Sequence, residues 1–200
     1  MKTFLTLVIA FLLVGCPKSN INPKPSSSND GEMWSQPING IQARFSFADG
    51  DIFNGTRIIR VFLELRTVSD IGNPIYLLYD SDHSIKAQLF DSYGKPVSPP
   101  MSSAFDGPMQ EPFFICLPNN STMKFDITAN GYGIPKDEKA FIGLLPIPGN
   151  WTIKRGDSAE YFLSGTFTAE KPKEPLNKDQ RIWTGKIEIP KARVNVLNNK

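Results

Sequence analysis

Few residues of this 200-residue chain have side chains that could make or break a covalent bond in a substrate. There is one histidine, His83, and there are two cysteines, Cys16 and Cys116. A single histidine excludes any centre built on two imidazoles, the His-Glu-x-x-His zinc proteases among them. The sequence has no Cys-x-x-Cys pair, no Gly-x-Ser-x-Gly nucleophile elbow, no phosphate-cradling glycine loop and no dinucleotide fingerprint. Cys116 and His83 are the one pair that could serve as nucleophile and base, as a thiol protease requires. Cys116, however, stands in Phe113-Phe114-Ile115-Cys116-Leu117, whose apolar neighbours predict a buried, inert thiol. His83, in Ser81-Asp82-His83-Ser84, reads as a turn residue. Asp49-Gly50-Asp51 and Asp80-Ser81-Asp82 each offer two carboxylates to a hard cation such as calcium, but Asp-Gly is also a common turn pair. The expectation is a protein without catalytic residues, metal or dissociable cofactor.

Two features suit binding better than catalysis. The segment Ser98-Pro-Pro-Met-Ser-Ser-Ala-Phe-Asp-Gly-Pro-Met-Gln-Glu-Pro112 carries four prolines in fifteen residues together with Met101, Phe105 and Met109. A long loop stiffened in this way would present its apolar tip to a partner at reduced entropic cost, or else Phe105 and a methionine pin it to the domain. Trp34, Trp151 and Trp183 raise a carbohydrate-binding module as an alternative, although 14 of the 22 aromatic residues are Phe, which suits a core more than a sugar platform.

The N-terminus decides the address. Met1-Lys2-Thr3 places one positive charge before the mostly apolar run Phe4–Val14, the layout of a secretory signal peptide. About 20 apolar residues are needed to span a bilayer, and this run is too short. Its end, Leu13-Val14-Gly15-Cys16, resembles the lipobox of bacterial lipoproteins, where a dedicated peptidase cuts between the residues matching Gly15 and Cys16 after the cysteine has received a diacylglyceryl thioether. The resemblance implies residues 1–15 as a cleaved signal, and a covalent diacylglyceryl and N-acyl lipid on Cys16. Two or three acyl chains hold a protein on a membrane where one does not. The expected location is the cell envelope, on the periplasmic or outer surface. Pro17 and Lys18 differ from the Asp that follows the cysteine in some inner-membrane-retained lipoproteins. The lipobox resemblance implies a bacterial protein, in which the sequons at Asn54, Asn119, Asn120 and Asn150 are expected to be coincidental.

Losing Lys2 leaves 21 basic against 20 acidic side chains in the mature chain. So small a net charge offers no general attraction to nucleic acid. Residues 17–33 are rich in Ser, Asn and Pro and poor in apolar side chains, the composition of a flexible tether whose ends lie roughly 20–25 Å apart. With Cys16 they form the anchor segment 16–33, and residues 34–200 form one domain.

Within that domain the dominant period is two, the mark of half-buried strands. Ile59, Val61, Leu63 and Leu65 alternate with Arg60, Phe62, Glu64 and Arg66. Ile85, Ala87 and Leu89 alternate with Lys86, Gln88 and Phe90. Met123, Phe125 and Ile127 oppose Thr122, Lys124 and Asp126, and Trp183, Ile187 and Ile189 oppose Thr184, Lys186 and Glu188. Further strands are expected at 41–47, 75–79, 113–117, 151–154, 159–168 and 193–197. Turns are expected at Asp49-Gly50, Asn54-Gly55, Gly72-Asn73-Pro74, Tyr93-Gly94-Lys95-Pro96 and Arg155-Gly156-Asp157. One helical turn is expected near Lys136–Phe141. About nine or ten short strands without a helical layer predict an all-β, immunoglobulin-like antiparallel β-sandwich stabilised by packing alone.

Three stretches extend this reading: Val61–Asp70, Ile85–Val97 with its Asp91-Ser-Tyr-Gly-Lys95 turn, and Leu117-Pro-Asn-Asn-Ser-Thr-Met-Lys-Phe125. Their order resembles the Ig-like intracellular proteinase inhibitor domains of bacilli, over about residues 58–127. The chain as a whole also resembles lipoproteins of the same general layout. The first resemblance implies the fold, and makes protease inhibition a further alternative, although no inhibitory residue can be carried across to this sequence. The reading is a non-enzymatic, lipid-anchored interaction or assembly module. Its partners are the membrane, through the lipid, and an envelope protein or glycan.

Overall fold

The structure, a computed structural model, describes residues 33–68, 73–80, 83–99, 111–129, 136–144, 150–154, 160–173 and 180–194. Among them there are strands, turns and bends and no helix. The strands are β1 (Ile41–Phe53), β2 (Thr56–Thr67), β3 (Ile75–Tyr79), β4 (Ile85–Phe90), β5 (Phe113–Leu117), β6 (Thr122–Asp126), β7 (Ala140–Gly143), β8 (Asn150–Ile153), β9 (Tyr161–Ala169), β10 (Arg181–Ile182) and β11 (Gly185–Val194).

The largest sheet runs β1-β2-β7-β8, with β6 also paired to β2. Strand β2 is its spine. One edge pairs with β1 along its whole length, while the other is shared between β6 at Phe62–Arg66 and β7 at Arg57–Ile58. Two smaller sheets, β10-β3-β5 and β11-β9-β4, complete the domain. β1 packs against β11, and β3 against β9. One continuous apolar cluster joins all three sheets through residues such as Phe45, Leu63, Leu77, Leu89, Ile142, Phe167 and Ile187. Sheet packed on sheet around one core is a sandwich-like all-β architecture.

The predicted alternation holds along β2, β4, β6 and β11, where the apolar phase is the more buried one. In β11 a bulge lets the phase change. Ile189 faces Gly165 and Ala192 faces Leu163, so Pro190-Lys191 inserts one residue. Ile187, Ile189, Ala192 and Val194 consequently all reach the core. Proline, lacking an N–H, is tolerated at such an interruption. Across from the bulge, Gly165 is required by close approach: a Cβ there would stand 2.2 Å from the Lys86 carbonyl oxygen of β4.

Several expectations are corrected. The segment 136–141 is no helical turn, because it enters β7, whose four residues are all buried. A strand covered on both faces shows no alternation, so its apolar run carries no period. Asp49-Gly50 is not a turn but lies within β1, where Gly50-Asp51 forms a bulge between the pairs Asp49–Ile59 and Ile52–Arg57. The chain reverses instead at Asn54-Gly55, whose φ values of 51° and 77° suit a tight hairpin turn matched to strand twist. Arg193 and Val194 continue β11 rather than starting a new strand. The sheets are not wholly antiparallel, since β10 runs parallel to β3 and β7 to β2.

Candidate functional site

Among the described residues, those that sequence reasoning singled out as a possible catalytic or metal site do not come together. Gly15, Cys16, Met101, Phe105 and Met109 lie outside the described residues. Of the Pro-rich segment, Ser98, Pro99, Glu111 and Pro112 are described and exposed, and Phe113, which follows, rests against Tyr79 with ring centroids 5.3 Å apart. Cys116 is not the buried, inert thiol its neighbours predicted. It is half-buried, on the face of β5 opposite Ile115 and Leu117, and it is disulfide-bonded, so packing is not the chain's sole constraint. It also faces Tyr76, whereas His83 lies beyond Tyr79 at the far end of β3. Three strand residues cover about 10 Å, which separates the proposed nucleophile from its base.

His83 sits in the turn after β3, as expected. Its backbone N–H and that of Ser84 both donate to the Asp80 carbonyl, and its Nδ1 lies 2.9 Å from the Asp80 carboxylate. Asp49 receives a hydrogen bond from Arg57 at 3.1 Å. These carboxylates are therefore engaged, and among the described residues no group of three His, Cys, Asp or Glu side chains is gathered. Trp151 and Trp183 are core residues, their indole N–H groups donating to the carbonyls of Val97 and Ile38.

What the structure does assemble is the outer face of β1, β2 and β6. The strand registers set three rows across it: Gln42–Arg66–Thr122, Arg44–Glu64–Lys124 and Ser46–Phe62–Asp126, with Arg60 on the same phase of β2 two positions before Phe62. At the centre Glu64 is only 6% exposed. Its carboxylate accepts hydrogen bonds from Arg44 Nε at 2.8 Å and Ser46 Oγ at 2.6 Å, and Lys124 Nζ lies 3.3 Å away. Burial by itself would raise the Glu64 pKa. The hydrogen bonds from Ser46 and Arg44 and the charges of Arg44 and Lys124 outweigh it, so the carboxyl titrates below its ordinary value. Glu64 is thus a buried anion held by three partners.

Aromatic rings fill the spaces between the cations. The guanidinium carbons of Arg44 and Arg66 lie 4.6 and 4.1 Å from the centroid of Trp34, and Lys124 Nζ lies 4.1 Å from that of Phe62. Arg66 takes a neutral partner, donating from Nε to Gln42 Oε1 at 2.8 Å. Burial first, and then the neighbouring Arg44 charge, lower its pKa from the usual arginine value. At the lower end Arg60 pairs with Asp126, which also accepts from Thr128. Burial would raise the Asp126 pKa, but the Thr128 and Arg60 hydrogen bonds and the Arg60 charge hold it low.

The chain matches no family model, no curated protein and no solved structure. The face is therefore read from its own chemistry. Sequence reasoning had assigned Arg60, Glu64, Arg66 and Lys124 only to the outward phase of their strands. The available signal was their alternation in two segments that pair in space, with Trp34 some 30 positions upstream of Glu64.

Proposed function

We propose that this protein is a lipid-anchored component of the bacterial cell envelope that works by non-enzymatic contact, as an interaction or assembly module. The observation that carries the reading is the apolar run Phe4–Val14 ending on Leu13-Val14-Gly15-Cys16, followed by a polar stretch and then an all-β domain. An acylated Cys16 supplies the membrane attachment, residues 17–33 act as the spacer, and the sandwich presents its surfaces to partners. An immunoglobulin-like arrangement is the finer form of the fold that we favour, supported by the Asp91–Lys95 turn. There Asp91 Oδ1 accepts from the backbone N–H groups of Tyr93 and Lys95.

Contact with protein or lipid is favoured over sugar stacking, because two of the three indoles serve the core and Trp34 is engaged by two guanidinium groups. The test is intact mass spectrometry of the membrane-extracted protein against a Cys16→Ser variant. The expected result is a mature species beginning at Cys16 with added acyl mass, absent from the variant. Cleavage elsewhere, or an unmodified Cys16, overturns the anchor. Cys16 is the only other cysteine of the chain, so the disulfide at Cys116 belongs to the unacylated chain; acylation of Cys16 leaves Cys116 a thiol in the mature protein, and the same spectrum separates the two forms.

A further inference from the structure

The position of the cationic face relative to the anchor gives it a ligand. Trp34 is the first residue after the 17–33 spacer. It is fixed there because the next residue, Ser35, lies along the edge of β1: its N–H donates to the Ala43 carbonyl at 3.0 Å, and its Oγ accepts the Ala43 N–H at 2.9 Å. The chain therefore enters the fold beside Arg44 and Arg66. On the tether reading of residues 17–33, whose composition implies a span of roughly 20–25 Å, that entry point stays close to the surface bearing the lipid.

The charge is distributed in the same sense. Arg44, Arg60, Arg66 and Lys124 set four cations against the two carboxylates Glu64 and Asp126 on this face. The rest of the mature chain holds 17 basic against 18 acidic side chains. The molecule's positive excess is concentrated beside its point of attachment. The residue types also suit one kind of surface. Guanidinium groups form paired hydrogen bonds to phosphate, and an indole ring is at home at the level of lipid headgroups. Among the described residues Arg66 meets a neutral amide and a ring, while Lys124 shares Glu64 with Arg44.

We propose that the Trp34, Arg44, Arg66 and Lys124 face of β1, β2 and β6 docks on the anionic phospholipid headgroups of the membrane that carries the anchor. This rests on the lipid-anchor reading above. The docked domain lies with this face down, and its β10-β3-β5 and β11-β9-β4 sheets remain available to partners.

The test uses the full lipidated protein in two sets of vesicles with bromine-labelled acyl chains, one of phosphatidylcholine alone and one of phosphatidylcholine and phosphatidylglycerol in equal parts. Trp151 and Trp183 are 2% and 3% exposed, so Trp34 is the reporter, and a Trp34→Phe variant identifies its signal. The expected result is strong quenching of Trp34 on the anionic vesicles only, lost in about 1 M salt where screening acts within roughly 3 Å. Each basic residue removed is expected to lower the ratio of docked to undocked protein about five-fold: once for Lys124→Gln, at a half-exposed position, and roughly 25-fold for Arg66→Gln with Lys124→Gln. Near-ultraviolet circular dichroism checks that both variants keep their packing. Equal quenching on the two vesicles, or quenching insensitive to Lys124→Gln, overturns the docking. A protein that fails to float with phosphatidylcholine vesicles overturns the anchor instead, and the docking with it.

Discussion

The two faces of β2 both leave water, for opposite reasons. Inward, Ile59, Val61, Leu63 and Leu65 are at most 1% exposed and gain free energy by burial itself. Outward, Glu64 loses hydration when buried and stays charged only because Arg44, Ser46 and Lys124 replace the lost water. The inner face thus asks for shape and volume, and accepts any hydrophobe that fills the space. The outer face asks for particular partners, and removing one strands the others. Along a single strand, packing and electrostatics place different demands on residues one position apart.

This comparison can be sharpened by experiment. The largest effect is expected from Leu63→Ala, which opens a cavity beneath the strand and should cost about 3 kcal/mol in urea unfolding. A loss under about 1 kcal/mol would mean that the inner face is loosely packed. Glu64→Ala comes next, at about 2 kcal/mol. It removes the acceptor that Arg44, Ser46 and Lys124 share, but Arg44 and Lys124 retain enough water to soften the penalty. Should Glu64→Ala prove neutral, the outer face would be a solvated surface like any other.

A double-mutant cycle compares the two ion pairs of the outer face directly. Arg44 with Glu64 should couple by about 1–2 kcal/mol, and Arg60 with Asp126, where both side chains are more exposed, by about 0.5 kcal/mol. Equal couplings would remove the role assigned to burial.

The smallest effect is on acid stability. Glu64 and Asp126 both have lowered native pKa values, against ordinary values of 4.5 and 3.8. The unfolded chain therefore takes up protons first as pH falls. The stability these groups contribute is complete above their ordinary values and is lost as pH drops through the lowered native ones. Melting temperature followed from about pH 7 to pH 3 should fall more gently in Glu64→Gln than in the parent protein. An unchanged acid limb would show that Glu64 titrates alike in both states.

Much of the fold was legible because a half-buried strand writes its geometry into the order of its residues. β4 was read to the residue. The phases of β2, β6 and β11 followed from Leu63 against Glu64, Phe125 against Lys124 and Ile187 against Lys186. β7 was not legible, since Ala140–Gly143 is covered on both faces and its apolar run has no period. Nor was the role of Asp49-Gly50-Asp51, because a turn and a bulge use the same residue types, and only the pairing with β2 chose between them.

The sequence by itself determined the alternation of the strands, the Asn54-Gly55 reversal, the lack of familiar catalytic motifs and the expectation of an N-terminal anchor. Each of these depends on neighbours within a few positions, where local sterics and periodicity act. Only the tertiary structure decided which strands adjoin, and hence that Glu64 is buried between Arg44 and Lys124 and that Trp34 meets Arg44 and Arg66. Glu64 and Lys124 are 60 residues apart in the chain. Their attraction becomes significant only once strand pairing brings them within hydrogen-bonding range and removes the water between them.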